Sequence, residues 1–144
     1  MKILLMNGPN LNLTGTRRPE IYGHETLADI VEQVKAEGRT LGVEVVDFQS
    51  NHEGDLIDRL HAARGECDGV ILNAGALTHY SYALRDAIEA IELPCIEVHM
   101  SDIHAREDFR KISVIRDVCC EQICGHGKMS YLMALHALKN RIGE

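Results

Sequence analysis

The sequence has too little positive charge to hold a nucleic acid. Fifteen Lys and Arg stand against 22 Asp and Glu, a formal charge of −7, whereas general affinity for a phosphate backbone rests on clustered cations that neutralise phosphates. It has no long apolar run. The N-terminal "MKILLMNGPN" offers six residues before a polar turn, too few for the apolar region of a signal peptide and far too few for a membrane span, so a cytoplasmic protein without membrane contact is expected. The five cysteines are odd in number and four lie in or beside apolar runs, where Cys behaves as a small hydrophobe; no disulfide framework is implied. Also missing are G-x-x-x-x-G-K-[ST], a G-x-G-x-x-G after the first apolar run, and a G-x-S-x-G elbow, which removes the usual phosphate cradles and the serine hydrolase. A receiver-type signalling module would carry acidic residues where this chain has "NGPN". His99 and His104 lack further ligands at metal spacing, and "CCEQIC" alternates faces on a strand, so no metal site is expected. No linker, low-complexity segment or repeat divides the chain, which reads as one domain over residues 1–144. With 45% hydrophobic residues it can bury a real core, and its expected partners are small molecules or copies of itself.

What is present is a rhythm. Short apolar runs recur at "KILLMN" (2–7), "VEVVDFQ" (43–49), "GVILNA" (69–74), "PCIEVHM" (94–100) and "VCCEQICG" (118–125), and read as buried strands. Between and after them lie helical patterns with one apolar face: Leu27, Ile30, Val31 and Val34; Leu56, Ile57 and Leu60; Ala83, Leu84, Ala87, Ile88 and Ile91; Met129, Leu132, Met133 and Leu135. This alternation predicts an α/β fold, a flavodoxin-like doubly wound five-stranded parallel sheet with helices on both faces. Such sheets bind ligands beyond the carboxyl ends of their strands, so the candidate mouth is Asn7 to Asn10, Gln49 to His52, Asn73 to Gly75, His99 to Ser101 and Gly125 to Gly127. Amides, hydroxyls and imidazoles there suit a small polyhydroxylated ligand.

The seventeen residues "NGPNLNLTGTRRPEIYG", Asn7 to Gly23, show neither a helical nor a strand period, and a loop of that length in a small domain usually binds a ligand or closes over one. Arg17 near Tyr22 would favour the phenolate and make Tyr22 a base near neutral pH; equally, the ring could pack over the sheet edge while Arg17 and Arg18 stay in water. In "IEVHMSD", Glu97 and His99 are two apart on a strand and share a face, so the carboxylate can fix the imidazole as a general acid, or a strand-end histidine is simply satisfied by its neighbour. Met100 and Ser101 follow; a helical turn starting there would offer N–H groups and a hydroxyl to an anion, the plainer reading being a Ser cap. Arg106 and Arg110 fall on one helical face. Asn73 ends a strand, His79 lies near a helix start, and Asp86 sits too far along that helix to reach the same mouth unless a neighbouring subunit presents it.

Taken in order, "NGPNLNLTGTRRPEIYG", "NAGALTHYSYALRDA" and "IEVHMSDIHAREDFRKIS" closely resemble the type II 3-dehydroquinate dehydratases, the type II dehydroquinases, and the likeness runs from about Lys2 to Leu138. The resemblance implies a hydro-lyase of the shikimate route to aromatic amino acids. It would turn 3-dehydroquinate into 3-dehydroshikimate without a cofactor, as a dodecamer built from four trimers. It further implies Tyr22 as the base, Arg17 as the cation that lowers its pKa, Asn10 as holder of the enolate through a water, and His99 as the general acid oriented by Glu97. Asn73, His79, Met100, Ser101 and Arg110 match the groups that bind the substrate's hydroxyls and carboxylate, and Asp86 matches one reached across the trimer interface. The pattern departs at Thr14, where a leucine is common, Arg18, a glutamate, Ala76, a glycine, and Asp102, an asparagine. Two other readings stand beside it: a flavodoxin-like module that binds a phosphate or nucleotide without turnover, and an oligomer that keeps the fold without activity. The missing phosphate loop argues against the first; the presence together of Asn10, Arg17, Tyr22 and His99 argues against the second.

Overall fold

The apolar runs become strands because each is covered on two sides. The computed structural model describes residues 1–16, 19–22 and 24–143, with Ile21 and Tyr22 described by backbone alone. In chain order the strands are β1 (Lys2–Asn7), β2 (Glu44–Gln49), β3 (Gly69–Asn73), β4 (Cys95–His99) and β5 (Glu121–Cys124), and the helices are α1, a single turn (Pro19–Tyr22), α2 (Leu27–Thr40), α3 (Glu53–Ala63), α4 (Tyr82–Ile91) and α5 (Met129–Ile142). Among the described residues the five strands form one sheet in the order β2-β1-β3-β4-β5, all pairs parallel. This is the flavodoxin-like order. The chain steps from β1 outward to β2 and then crosses back to β3, so the switch point lies between β1 and β3, whose last residues Asn7 and Asn73 are register partners.

Alternate residues of each strand feed two cores. Ile3, Leu5, Ile71, Ile96 and Val98 pack with Val34 of α2 and Leu135 of α5 on one face; Leu4, Met6, Val70 and Leu72 pack with Leu56 and Leu60 of α3 and Leu84 and Ile88 of α4 on the other. Central strands β3 and β4 are buried at every position, whereas β2 and β5 at the edges carry exposed residues. The helix starts are written locally. Thr26 accepts from the Asp29 N–H while Asp29 accepts from the Thr26 N–H, a capping box for α2, and Ser81 caps α4 by accepting from Leu84 N–H at 3.0 Å.

Two helical faces differ from the sequence expectation. On α4 the buried set is Leu84, Ala87, Ile88 and Ile91, with Ala83 turned to solvent. On α5 it is Ser130, Tyr131, Ala134, Leu135 and Leu138, whereas Met129 and Met133 are 49% and 41% exposed. The methionines mimic an apolar face, and the true face contains a serine, whose hydroxyl accepts from the His126 N–H in the preceding turn at 3.1 Å, and a tyrosine whose hydroxyl is satisfied by Asn73 and Asn7, far away in the sequence.

The described residues of the long segment after β1 carry more regular structure than its composition suggests. It holds a 3-10 turn at Leu11–Leu13, pinned by Thr14 Oγ1 donating to Leu11 O at 2.6 Å, and then α1. Its two legs meet at Gly15, which has φ +93°; a Cβ there would stand 2.7 Å from the carbonyl oxygen of His24 and 2.8 Å from that of Glu25, so only glycine fits. Glu25 in turn is tied to Lys128 Nζ at 2.5 Å and to Gln33, which fastens the returning leg to the start of α5. No helix among the described residues is long and apolar enough to cross a membrane.

Candidate active site

Beyond the carboxyl ends of β1, β3 and β4 lies a cleft of about 170 Å³. Of the residues singled out from sequence, Asn10, Asn73, His79, His99, Met100, Ser101 and Arg110 line it, together with Arg106.

The wall at β4 is ionisable. Glu97 is wholly buried and His99 nearly so, and the imidazole Nε2 meets Glu97 Oε2 at 2.5 Å. Ser113 Oγ donates to Glu97 Oε1 at 2.9 Å and Gln122 Nε2 to Oε2 at 3.0 Å. Burial alone would push the Glu97 carboxyl up, but the His99 hydrogen bond and charge, with the Gln122 and Ser113 donors, outweigh it and hold the group below its usual range. A buried carboxylate is tolerated when it is paired and hydrogen-bonded in this way. One ring nitrogen of His99 is thereby fixed, and the other is left for the cleft.

The wall at the switch point is neutral. Asn73 Nδ2 donates to the Tyr131 hydroxyl at 2.9 Å, and that hydroxyl donates to Asn7 Oδ1 at 2.5 Å. Asn73 Oδ1 accepts from Gly75 N–H at 3.1 Å. The strand ends are held together by Gly8 N–H donating to Asn73 O at 2.8 Å, an approach so close that a Cβ on Gly8 would lie 2.5 Å from Ala74 O. Asn10 adopts a left-handed backbone with φ 69°, a conformation Asn tolerates better than most residues. Gln49 and Asn51 hold it there: Asn51 Oδ1 accepts from Asn10 N–H at 3.0 Å, and Gln49 Nε2 bonds both Gly8 O and Asn51 Oδ1. These two residues, expected at the mouth, act as buttresses behind it.

The rim is cationic. His79 shares a hydrogen bond between Nδ1 and Ile112 O at 2.7 Å and stands edge-on to Phe109; burial, against the pull of that carbonyl, moves its pKa down, so the ring is neutral near pH 7 with its Nε2 lone pair free to accept. The Arg110 guanidinium lies 4.7 Å over the Phe109 ring and donates to Glu107 at 3.0 Å. Arg106 and Arg110 do not share a helix: they belong to two short turns, Ile103–Ala105 followed by Arg106, and Asp108–Lys111. Both still reach the cleft, and Arg106 Nη1 approaches Ser101 Oγ at 3.5 Å. Two guanidinium groups thus stand at one small opening of an acidic chain, where their N–H donors can meet an anionic ligand. The helical turn expected at Met100 begins at Ile103, one residue past the position a Ser101 cap would set. Asp102, not Ser101, caps it by accepting from His104 N–H at 3.0 Å, which occupies that carboxylate and leaves the Ser101 hydroxyl beside Arg106.

A family model for class II dehydroquinase matches residues 1–139. The chain belongs to the class II dehydroquinase family. It is 54% identical over 143 residues to a 3-dehydroquinate dehydratase of Bacillus cereus, spanning 99% of this chain and 98% of that one, and 51% identical over 144 residues to that of Thermotoga maritima, spanning 100% and 99%. The crystal structure of the type II dehydroquinase from Butyrivibrio crossotus superposes with a TM-score of 0.95 at 45% identity, covering 96% of this chain and 97% of that one.

Within the dehydroquinase framework the remaining sequence candidates fall in three groups. Arg17 lies outside the described residues, as do Arg18, Gly23 and the side chain of Tyr22. Asp86 is exposed on α4 and is not among the residues lining the cleft of its own chain. Gly125 to Gly127, expected at the mouth, make the tight turn from β5 into α5, with φ +87° and +58° at the two glycines. Tyr131 was missed. Its signal was present in the two strands that both end in asparagine, "LLMN" and "VILN", since two register-matched buried amides need a polar partner.

Proposed function

We propose that this chain removes water from 3-dehydroquinate to give 3-dehydroshikimate in the shikimate route to chorismate and the aromatic amino acids. The observation that carries the reading is the buried Glu97–His99 pair opening onto a cleft rimmed by Arg106 and Arg110. A base takes the proton alpha to the ring ketone and the C–H electron pair becomes an enolate. The enolate collapses back to the ketone as the β C–O bond breaks, and an acid protonates the departing hydroxyl, so that one water leaves and no redox change occurs. The ketone makes the proton acidic, and donors set around the enolate oxygen stabilise its charge.

In this reading Tyr22 is the base, with Arg17 favouring its phenolate, and His99 is the acid, held in register by Glu97. Asn10 supports the enolate through a water. Met100 N–H and Ser101, with Arg106 beside it, take the substrate carboxylate, while Asn73, the acceptor nitrogen of His79, and Arg110 take its hydroxyls. The segment from Asn7 to Gly23 closes over the substrate and excludes water. Asp86 serves the site of a neighbouring subunit within a trimer, four of which form the dodecamer. Each subunit acts as one catalytic domain in the cytoplasm.

The test is spectrophotometric. Purified protein with chelator and 3-dehydroquinate should develop the ultraviolet absorbance of a conjugated enone, and Tyr22→Phe should lose about 10²–10⁴-fold in kcat while keeping its circular dichroism and assembly. A folded wild-type chain that forms no enone would refute the activity, and full turnover by Tyr22→Phe would refute the base.

A further inference from the structure

We infer that Tyr131 of α5 is a positioning residue that fixes which face of the Asn73 amide the substrate meets. The inference rests on the dehydration reading above. The hydroxyl is wholly buried and lies between two side-chain amides from strands that meet at the switch point, accepting from Asn73 Nδ2 and donating to Asn7 Oδ1. These bonds have one consistent direction. Gly75 N–H donates to Asn73 Oδ1, the Asn73 amide donates to Tyr131, and Tyr131 donates to Asn7, so Asn73 cannot flip without setting donor against donor and acceptor against acceptor. Of its two Nδ2 protons one is spent on Tyr131, and the second remains for the cleft that Asn73 lines. Asn73 therefore offers a donor to a substrate oxygen. Burial holds the Tyr131 phenol well above its ordinary pKa, so the hydroxyl keeps both roles across the working pH range. A register-matched pair of asparagines needs a group that can accept from one and donate to the other, and a hydroxyl does both.

The deciding experiment is a kinetic cycle with 3-dehydroquinate on wild type, Tyr131→Phe, Asn73→Ala and the double variant. Phenylalanine keeps the buried ring and removes only the hydroxyl. Tyr131→Phe should raise KM about tenfold, the scale of one misdirected hydrogen bond, with kcat changed less than about threefold; in the Asn73→Ala background the same substitution should change KM by less than about twofold. A purely structural tyrosine would lower the thermal midpoint and leave KM alone, and that result, or equal effects in both backgrounds, overturns the inference. Should Tyr131→Phe fail to fold, the wild type decides by NMR of the Asn73 side chain. Adding 3-dehydroshikimate should shift one Nδ2 proton and leave its twin in place, and movement of both or neither refutes the assignment. A wild type without turnover sinks the function itself, whereas an active wild type with an unmoved KM in Tyr131→Phe sinks this inference alone.

Discussion

Two buried polar networks sit on opposite faces of the same sheet, and both end at the same cleft. On the α3/α4 face, Glu97 carries a charge and gathers Ser113, Gln122 and His99 around it; on the α2/α5 face, Tyr131, Asn7 and Asn73 form a chain of neutral groups. The charged network must hold its carboxylate against desolvation and does so with three side-chain donors. The neutral one needs only a consistent bond direction. The first suits a group that must exchange a proton with the substrate, because a fixed counter-charge orients an imidazole without taking its proton. The second suits a group that must present a donor unchanged at every working pH. On the proposed reading, the fold sets the acid–base pair and the Asn73 donor on opposite faces of the sheet, Glu97 and His99 from β4 and Asn73 from β3.

If that division is right, damage to the charged network should act mainly on kcat. His99→Ala carries the largest expected effect. Loss of the acid should lower kcat about 10²–10⁴-fold with KM changed only a few-fold, read by steady-state kinetics; a large KM change with kcat preserved would erase the distinction. Glu97→Gln comes next. A glutamine keeps the volume but sets a donor against His99 or Gln122, so a fall of about 10–100-fold in kcat is expected, the scale on which loss of a histidine's outer hydrogen-bond partner acts at metal sites. The same variant should flatten acid unfolding. The Glu97 carboxyl is held below its usual value in the fold, so its stabilising share is full above the ordinary carboxylate range and disappears as pH falls through the lowered value. Denaturant midpoints taken from pH 6 to pH 3 should therefore drop more steeply for wild type than for Glu97→Gln.

How much of this division could be read beforehand depended on whether the partners were near in sequence. Glu97 and His99 are two apart on a strand, and period 2 puts them on one face, so the dyad was legible in "IEVH". The strands themselves were legible because both faces of each central strand are covered and the runs are continuously apolar. The face of α5 was not: Tyr131 bonds residues 58 and 124 positions away, and without them a tyrosine beside Ser130 reads as the polar side of the helix. The Arg106 and Arg110 rim was found for an incomplete reason. The two reach one cleft because successive 3-10 turns bring them round, not because a helical face aligns them. The cap expected at Ser101 is likewise displaced, since it is Asp102 that accepts from the His104 N–H of that turn.

The two smallest effects separate the networks most sharply, because they differ in pH dependence rather than in size. Asn7→Ala removes the acceptor of the buried Tyr131 hydroxyl and should cost about 1–3 kcal/mol of stability. Burial keeps the phenol neutral, so that cost should stay constant from pH 4 to pH 8. Ser113→Ala removes one donor from the Glu97 carboxylate and should cost about 1 kcal/mol near neutrality. Without that donor the carboxyl is less strongly held down, its folded pKa rises, and its stabilising share is lost at a higher pH. The Ser113→Ala penalty should consequently shrink toward zero once Glu97 is protonated in both proteins, while the Asn7→Ala penalty does not move. Urea denaturation of both variants beside wild type at pH 7, 5 and 3.5 gives the comparison, and parallel pH profiles would mean that the two networks are alike in kind and that the charge on Glu97 has no special part in holding His99.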